Sequence, residues 1–504
     1  TQGVSSAASD VYKRQAQGSL RTRQNTAQFV MLPVFLPTDF VAWGLFVLLI
    51  LAVRHVRRSP ELARRWRMVF ARPSAAASAA VLAIFLLTAL MDSIHWRDAL
   101  PPADASDAAS AVQAYSPEVK SLLDVVILER LKAAGDERSY SMPFALREFD
   151  KTTVFKDGHA VRDFQPLKNA GKLFGHRTRT FELVKGTLIA AIAGGVTAFL
   201  AWIFTALTIA RRRNATFTQT LMVMRNRDGR FPWRPAMLVF TVAWLLMVWL
   251  ILIWPNWHVF GTDAVGNDVL YEAVKSVRTA VVIGSLATLA TLPFALTLGI
   301  AAGYFRGWVD DVIQYVYTTI SSIPSVLLIA ASVLMVQVFL DKHPELYQTS
   351  LERADLRLML LAVIIGMTGW ATLARLLRAE TMKLSTLDFV SAAKALGVKP
   401  FAVMRRHILP NVMHIVLIVT VLDFSGIVLY EAVLSYVGVG VDPTMHSFGT
   451  MINSARSELS RSPMIWWNLL ASFLFLVTLV LSANIFASAV RDAFDPRAAG
   501  RGRA

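Results

Sequence analysis

Runs of roughly twenty apolar residues, recurring along most of the chain, constrain this fold more than any other feature of the sequence. They fall at about residues 40–53, 74–91, 183–210, 236–254, 279–302, 312–339, 356–377, 411–434 and 467–490. Hydrocarbon offers no partner to a backbone N–H or C=O, so such segments cross a bilayer as α-helices. The pattern predicts an all-α polytopic membrane protein with about nine transmembrane helices. The first run is short for a crossing unless Pro37 and its neighbours extend it. Composition agrees: 55% of 504 residues are hydrophobic and mean hydropathy is +0.48, too apolar for a soluble protein of this length.

The formal net charge of +16 raises the question of nucleic acid, but its distribution argues for a membrane instead. Arg54, Arg57, Arg58, Arg64, Arg65, Arg67 and Arg72 follow the first run, directly beside an apolar span, so a phosphate-binding or nucleic-acid patch is the less favoured alternative. Arg211, Arg212, Arg213, Arg225, Arg227, Arg230 and Arg234 lie between the third and fourth. Basic residues mark cytoplasmic loops, so alternation puts the N-terminus outside and the C-terminus inside. On that reading, residues 31–91 hold two helices with a basic cytoplasmic loop, and 92–181 form a small extracytoplasmic insert. Residues 182–235 add a third helix and loop, 236–496 the remaining six helices, and 497–504 a tail. Residues 1–30 are polar and lack a signal-peptide core, so they are set aside as a disordered or non-native leader, with Met31 a natural start. Within the insert, Ser116-Pro117-Glu118 reads as a helix start, with Leu122, Leu123, Val126, Ile127 and Leu131 on one face up to Gly135. His95, His159 and His176 lack ligand spacing and read as solvated, so no metal site is expected. The absence of cysteine excludes disulfides and thiolate chemistry.

One polar interruption, residues 381–410, is organised in finer detail. Asp388 is placed to cap a short helix, Gly397 to end it in the left-handed conformation, and Pro400 to start a second. Pro410 should stop that second helix where the next apolar run begins. Lys383, Lys394, Lys399, Arg405 and Arg406 place the segment on the cytoplasmic side. Ala392-Ala393, Gly397 and Leu409-Pro410 resemble the "EAA" loop of ATP-binding-cassette (ABC) importer permeases, which docks into a cleft on the ATPase subunit. Ser391 stands where that motif has glutamate, and His407 where isoleucine is usual. The wording from Arg406 to Asn411 is similar to the dipeptide and oligopeptide branch.

A second motif lies beyond the fourth run and its Trp-Pro-Asn-Trp ending, an interfacial pattern. Gly261-Thr262-Asp263 and Gly266-Asn-Asp268 resemble the segment after the first common helix in C-type subunits of peptide and nickel importers, with Asn267 in place of arginine and Phe260 of leucine. Physically, both glycines permit tight turns and both aspartates can cap the turn next to them; a hard cation between the aspartates is the less favoured alternative. Pro324 should bend its apolar run, and the loop from Gly303 to Asp311 is implied to be a smaller coupling element. Arg491-Asp-Ala-Phe-Asp495-Pro496 is similar to the family's ending. The resemblance covers about half the chain, from Pro235 to Pro496, and implies that the six C-terminal helices form a type I ABC importer permease core.

The chain carries no phosphate-cradling Gly-x-x-x-x-Gly-Lys-Ser/Thr loop and no recognised nucleophile or metalloprotease motif, so catalytic residues are assigned none. The resemblance implies a passive permease in the bacterial inner membrane, with ATP and magnesium bound by partners and no cofactor in this chain. The implied partners are a second permease subunit forming a heterodimer, two ABC ATPase subunits, an extracytoplasmic solute-binding protein and the lipid bilayer, with no nucleic acid. The implied cargo is a dipeptide, an oligopeptide or a related solute such as a nickel chelate. An ion-coupled secondary transporter or channel is the alternative, though it calls for repeated halves and midplane acids. An extracytoplasmic sensor would leave the motifs beyond Pro235 unexplained. Two acids interrupt the apolar runs. Glu431 lies near the outer end. Asp423, about three turns past the loop, should face either a cavity or a partner such as Ser425, the structural role being preferred.

Overall fold

The computed structural model describes residues 32–100, 115–128, 137–156, 159–168, 170, 179–225, 233–347 and 349–494. The expected leader 1–30, the tail, and Leu131, Gly135, His176, Asp495 and Pro496 lie outside these. The described chain divides into two compact units.

The smaller unit takes residues up to Phe35 together with Ile94–Ser121. It is an antiparallel sheet of β1 (Leu32–Val34), β2 (His95–Ala99) and β3 (Tyr115–Ser121), in that order. Leu32 pairs with Arg97, and Arg97 with Val119. Lys120 closes the hairpin on Asp98 at 2.6 Å. The helix expected from Ser116 is therefore a strand, and helical backbone begins only at Leu122. Tyr115 and Val119 suit a strand, and β3 lies at the sheet edge, where a proline is tolerated. His95, expected to be solvated, is buried; His159 is exposed, on β5 (His159–Asp163), which pairs with β4 (Thr152–Lys156) in the larger unit.

The larger unit is a helical assembly. Its first helices are α1 (Pro37–Arg58), α2 (Pro60–Ala71), α3 (Pro73–Met91), α4 (Arg179–Arg213), α5 (Phe217–Arg225) and α6 (Trp233–Ile253). Pro60 and Pro73 each stand in a first turn, the position where a missing N–H costs nothing. Next come α7 (Val269–Phe305), α8 (Gly307–Ser322), α9 (Ser325–Lys342), α10 (Ser350–Gly369), α11 (Ala371–Leu384), α12 (Asp388–Ala395) and α13 (Pro400–Val403). The last are α14 (Leu409–Tyr436), α15 (Phe448–Glu458) and α16 (Trp467–Phe494). Among the described residues eight helices are long and apolar enough to cross a membrane, and nine if the bent pair α10 and α11 counts as one. The first crossing begins at Pro37, which gives it the length its apolar run lacked. Two runs are broken. The run at 312–339 divides at Pro324, where Ile323 is forced extended (φ −86°, ψ 130°), and only α9 is a span by itself. The run at 356–377 bends by 40° at Trp370.

Helix α7 is the mast of the assembly. At 37 residues it is about 55 Å long, more than the ~30 Å hydrocarbon layer requires. Its small residues let other helices approach its backbone. A Cβ on Gly299 would lie 2.8 Å from the Ala374 carbonyl oxygen, and one on Gly303 2.6 Å from that of Arg378. These two glycines, four residues apart, seat α11 on α7 by close backbone packing rather than by any apolar driving force. Near its N-terminal end α7 carries Lys275 and Arg278. Lys275 reaches Asp92 at 2.6 Å and Asp124 at 2.8 Å. The buried Arg278 Nη2 donates to Asp39 Oδ1 at 2.8 Å, Asp355 Oδ1 at 3.2 Å and Thr38 Oγ1 at 2.6 Å.

Candidate functional site

The interruption at 381–410 folds as two short helices, α12 and α13, joined by a tight turn. Gly397 has φ +77°. Around it Gly397 N–H donates to the Lys394 carbonyl at 3.0 Å and Val398 N–H to that of Ala393 at 3.1 Å. These paired bonds close the end of α12, and they need a left-handed residue at 397. Pro400 occupies the first turn of α13.

Two expectations for this segment are overturned. Asp388 is not the cap of α12: Leu387 holds that position and no side chain bonds there, so Asp388 is an exposed first-turn residue whose charge favours the helix N-terminus only through the dipole. Pro410 does not stop the second helix either. Helical backbone continues from Pro400 through a wide turn at Met404–Ile408 into α14. In that turn Leu409 N–H bonds to the Met404 carbonyl, five residues back, and Asn411 Nδ2 donates to the His407 carbonyl at 2.6 Å. The extra residue in the turn accommodates the N–H that proline lacks.

The segment has two unlike faces. Val390, Ala393, Val403 and Ile408 are buried with Leu377 and Leu384 of α11 and Trp370, and Leu409 packs at the edge of that cluster. The other face is open: Leu396 is 83% exposed and Phe401 71%, with Leu387, Phe389, Ala392 and Arg405 exposed beside them. Two large apolar side chains in water on a rigid joint are a docking face in want of a partner.

The loop is also tied to its neighbours. The Arg378 guanidinium grips Asp310 of α8 in a fork, Nε to Oδ1 at 2.5 Å and Nη2 to Oδ2 at 2.6 Å. That grip holds the Asp310 carboxyl below its usual pKa, against the opposing effect of burial. Arg306, itself at φ 55°, donates to Ser385 Oγ at 2.9 Å and to the Met382 carbonyl at 3.1 Å. The segment from Gly303 to Asp311 is therefore tied to the start of the interruption and, through Arg378, to α11.

At the opposite end of α7, residues 257–268 form a knot packed against residues 137–142. Gly261 (φ +67°) and Gly266 (φ +93°) sit so close to the insert that a Cβ would fall 2.2 Å from the Ser141 carbonyl oxygen and 2.0 Å from that of Glu137. Thr262 Oγ1 donates to the Ser139 carbonyl at 2.8 Å, and Trp467 Nε1 to the Thr262 carbonyl at 3.0 Å. Asp263 Oδ1 accepts from Val265 N–H and Asn267 N–H, and Asp268 Oδ1 from Leu270 N–H and Tyr271 N–H at the start of α7. Both aspartates are caps. Asp268 Oδ2 also takes His258 Nδ1 at 2.7 Å, while Glu137 Oε1 lies 3.6 Å from Nε2. Burial pushes the imidazolium down, but the two carboxylates outweigh it and hold His258 at about 9. The role of His258 was not legible, because Glu137 is far from it in sequence.

The remaining candidates lie on α14. Asp423 is half-buried and has no side-chain partner among the described residues; the expected partner Ser425 instead donates to Asn484 at 2.7 Å. Two turns on, along the same helical face, Tyr430 donates to Ser325 at 3.1 Å, beside Pro324. Glu431 is fully buried and accepts from Ser435 Oγ at 2.7 Å.

The loop at 381–410 lies inside a stretch that matches a known family. Residues 295–500 match the family described as binding-protein-dependent transport system inner membrane component. A dipeptide transport system permease protein of Lactococcus lactis is 30% identical over 241 residues, 48% of this chain and 64% of that protein. Another, from Alkalihalophilus pseudofirmus, is 30% identical over 240 residues, 48% of this chain and 72% of that protein. A solved inward-facing structure of the MetNI methionine ABC transporter is 16% identical, with a TM-score of 0.33, over 44% of this chain and 97% of that one.

Proposed function

The chain belongs to the family of binding-protein-dependent transport system inner membrane components, and from that premise we propose that it is the permease subunit of an ATP-driven importer of peptides. It is a multi-pass protein of the inner membrane. Its proposed partners are two ABC ATPases, an extracytoplasmic solute-binding protein and a second, non-identical permease subunit. ATP and magnesium belong to the ATPases in this reading, and no catalysis or cofactor is assigned to this chain.

The observation that carries the reading is the two-faced loop at 381–410. Its open face, centred on Leu396 and Phe401, has the apolar character of an interface core, and its inner face is packed into the helices it would have to move. Closure of an ATPase pair would push on α12 and α13. The push would pass through Val390, Val403 and Ile408 to α11, through Gly299 and Gly303 to α7, and through Arg378 and Asp310 to α8. Spans tied in this way tilt together, and that is how access to a central pathway would switch.

Uptake of labelled peptide into proteoliposomes holding the full transporter tests this. Uptake should require ATP inside the ATPase compartment, and Leu396→Ser with Phe401→Ser should abolish it while the permease stays in the membrane. Uptake that needs an ion gradient and no ATP would establish the secondary-transporter alternative instead. The insert is proposed to be extracytoplasmic. A cysteine at Ser139, alone in this cysteine-free chain, should react with an impermeant maleimide in spheroplasts, and protection until lysis would refute that side.

A further inference from the structure

Helices α1 and α2 meet the end of α16 around an apolar cavity of about 650 Å³, within the ~300–1,000 Å³ typical of small-molecule sites. Leu49 and Val53 of α1, Trp66 and Phe70 of α2 and Phe486 of α16 form its walls. The aromatic rings are layered: Trp66 stacks on Phe70 at 6.0 Å and on Phe486 at 6.4 Å between centroids. Arg57 and Arg67 line the same cavity, and Arg57 also lines an adjoining one of about 510 Å³ with Arg54 and Arg58.

The charges do not balance locally. Segment 54–72 holds seven arginines and one acid, Glu61. Arg72 is paired with Asp492 of α16 at 2.5 Å, and Arg65 lies over the Phe494 ring. Among the described residues Arg54, Arg57 and Arg58 make no ion pair, and Arg67 makes only a bond from Nε to the Ala63 carbonyl. A soluble polyanion would meet the guanidinium groups but leave the apolar walls unfilled. A neutral lipid would fill the walls and leave the guanidinium groups without counter-charge. A molecule with long apolar chains and an anionic head satisfies both.

We propose that this cavity binds an anionic phospholipid of the cytoplasmic leaflet, its phosphate between Arg54, Arg57 and Arg67 and an acyl chain against Trp66 and Phe486. Bound there, the lipid joins α1 and α2, which precede the matched family region, to α16, the last helix within it.

The test uses the full chain in phosphatidylcholine bilayers doped with either dibrominated phosphatidylglycerol or dibrominated phosphatidylcholine. Bromine in the cavity quenches Trp66, whose contribution is the difference between wild type and Trp66→Phe. The brominated anionic lipid should quench that contribution at a several-fold lower mole fraction than the neutral one. Each arginine removed should weaken its retention about fivefold. Arg57→Gln with Arg67→Gln should erase the preference, and Arg212→Gln, a basic residue away from the cavity, should leave it intact. A second readout is independent of Trp66: phosphatidylglycerol retained on the purified chain in native mass spectrometry, lost in the double arginine variant. Equal quenching by the two lipids, or a preference that survives the double variant, would overturn the proposal; a neutral annular lipid or a partner polypeptide would then be the occupant.

Discussion

Substitution of Gly397 distinguishes conformation from contact in the loop we propose docks the ATPase. With φ at +77° the backbone is left-handed, a state that costs an ordinary L-residue about 1–2 kcal/mol. A Cβ built there meets nothing within 4 Å, so no clash adds to that cost. The penalty therefore falls on the two bonds that close α12, from Gly397 to Lys394 and from Val398 to Ala393. It is small beside the packing of the membrane helices, and Gly397→Val should reach the membrane normally. It is not small for docking, where Leu396 and Phe401 must be presented together, because 1.4 kcal/mol is tenfold in population. Uptake and peptide-stimulated ATP hydrolysis should fall about tenfold in Gly397→Val, less in Gly397→Ala, and least in Gly397→Asn, since asparagine tolerates this conformation. A fully active valine variant would show that the turn is not needed in this form. An asparagine variant as defective as valine would mean that the partner ATPase touches residue 397 itself.

Buried charge sets three further outcomes. His258 is held at about 9 against an ordinary 6.5, equivalent to about 3 kcal/mol of docking energy. Because the folded value is the higher one, this stability is complete below pH 6.5 and is lost as pH rises through 9. The melting temperature in detergent should fall over that window, and His258→Gln should flatten the slope; an unchanged slope would refute the pairing. Asp39→Ala leaves Arg278 a single carboxylate, Asp355, and should destabilise the chain by about 3–5 kcal/mol. Asp39→Asn keeps a hydrogen bond and should cost less, and equal, negligible effects would mean Asp39 is not needed there. Asp423→Asn should assemble normally yet impair cationic peptides more than neutral ones, a pattern that equal uptake of both would exclude.

How much was legible in the sequence depends on the range of the interaction. The spans were readable because each is set by its own apolar length, and the turn at Gly397 because glycine and proline act within a few residues. Pro410 was misread for want of a non-local fact: a proline ends a helix only if the backbone cannot take in an extra residue, and the turn at Met404–Ile408 does so. Ser116 was misread because pairing with β2, some twenty residues earlier in the chain, decided against a local helix signal. The caps at Asp263 and Asp268 were local and were found. Their seat on the insert, through Ser141 and Glu137, joins residues more than a hundred positions apart and left no local trace.

The same contrast bears on why the family region carries so much before it. Lys275 and Arg278 lie one turn apart on α7, and burying either unpaired would cost several kcal/mol. Among the described residues, Asp355 is the one carboxylate meeting them from the helices beyond Pro235; Asp39 belongs to the first span, Asp92 caps the end of the second, and Asp124 lies in the segment after them. A core cut to residues 236–496 would leave Arg278 with one counter-charge and take Asp92 and Asp124 away from Lys275. The first two spans are thus keyed to the core by charge where lipid gives helices little apolar reason to associate. In this chain the cations at 275 and 278 and the acids at 39 and 92 form one structural unit.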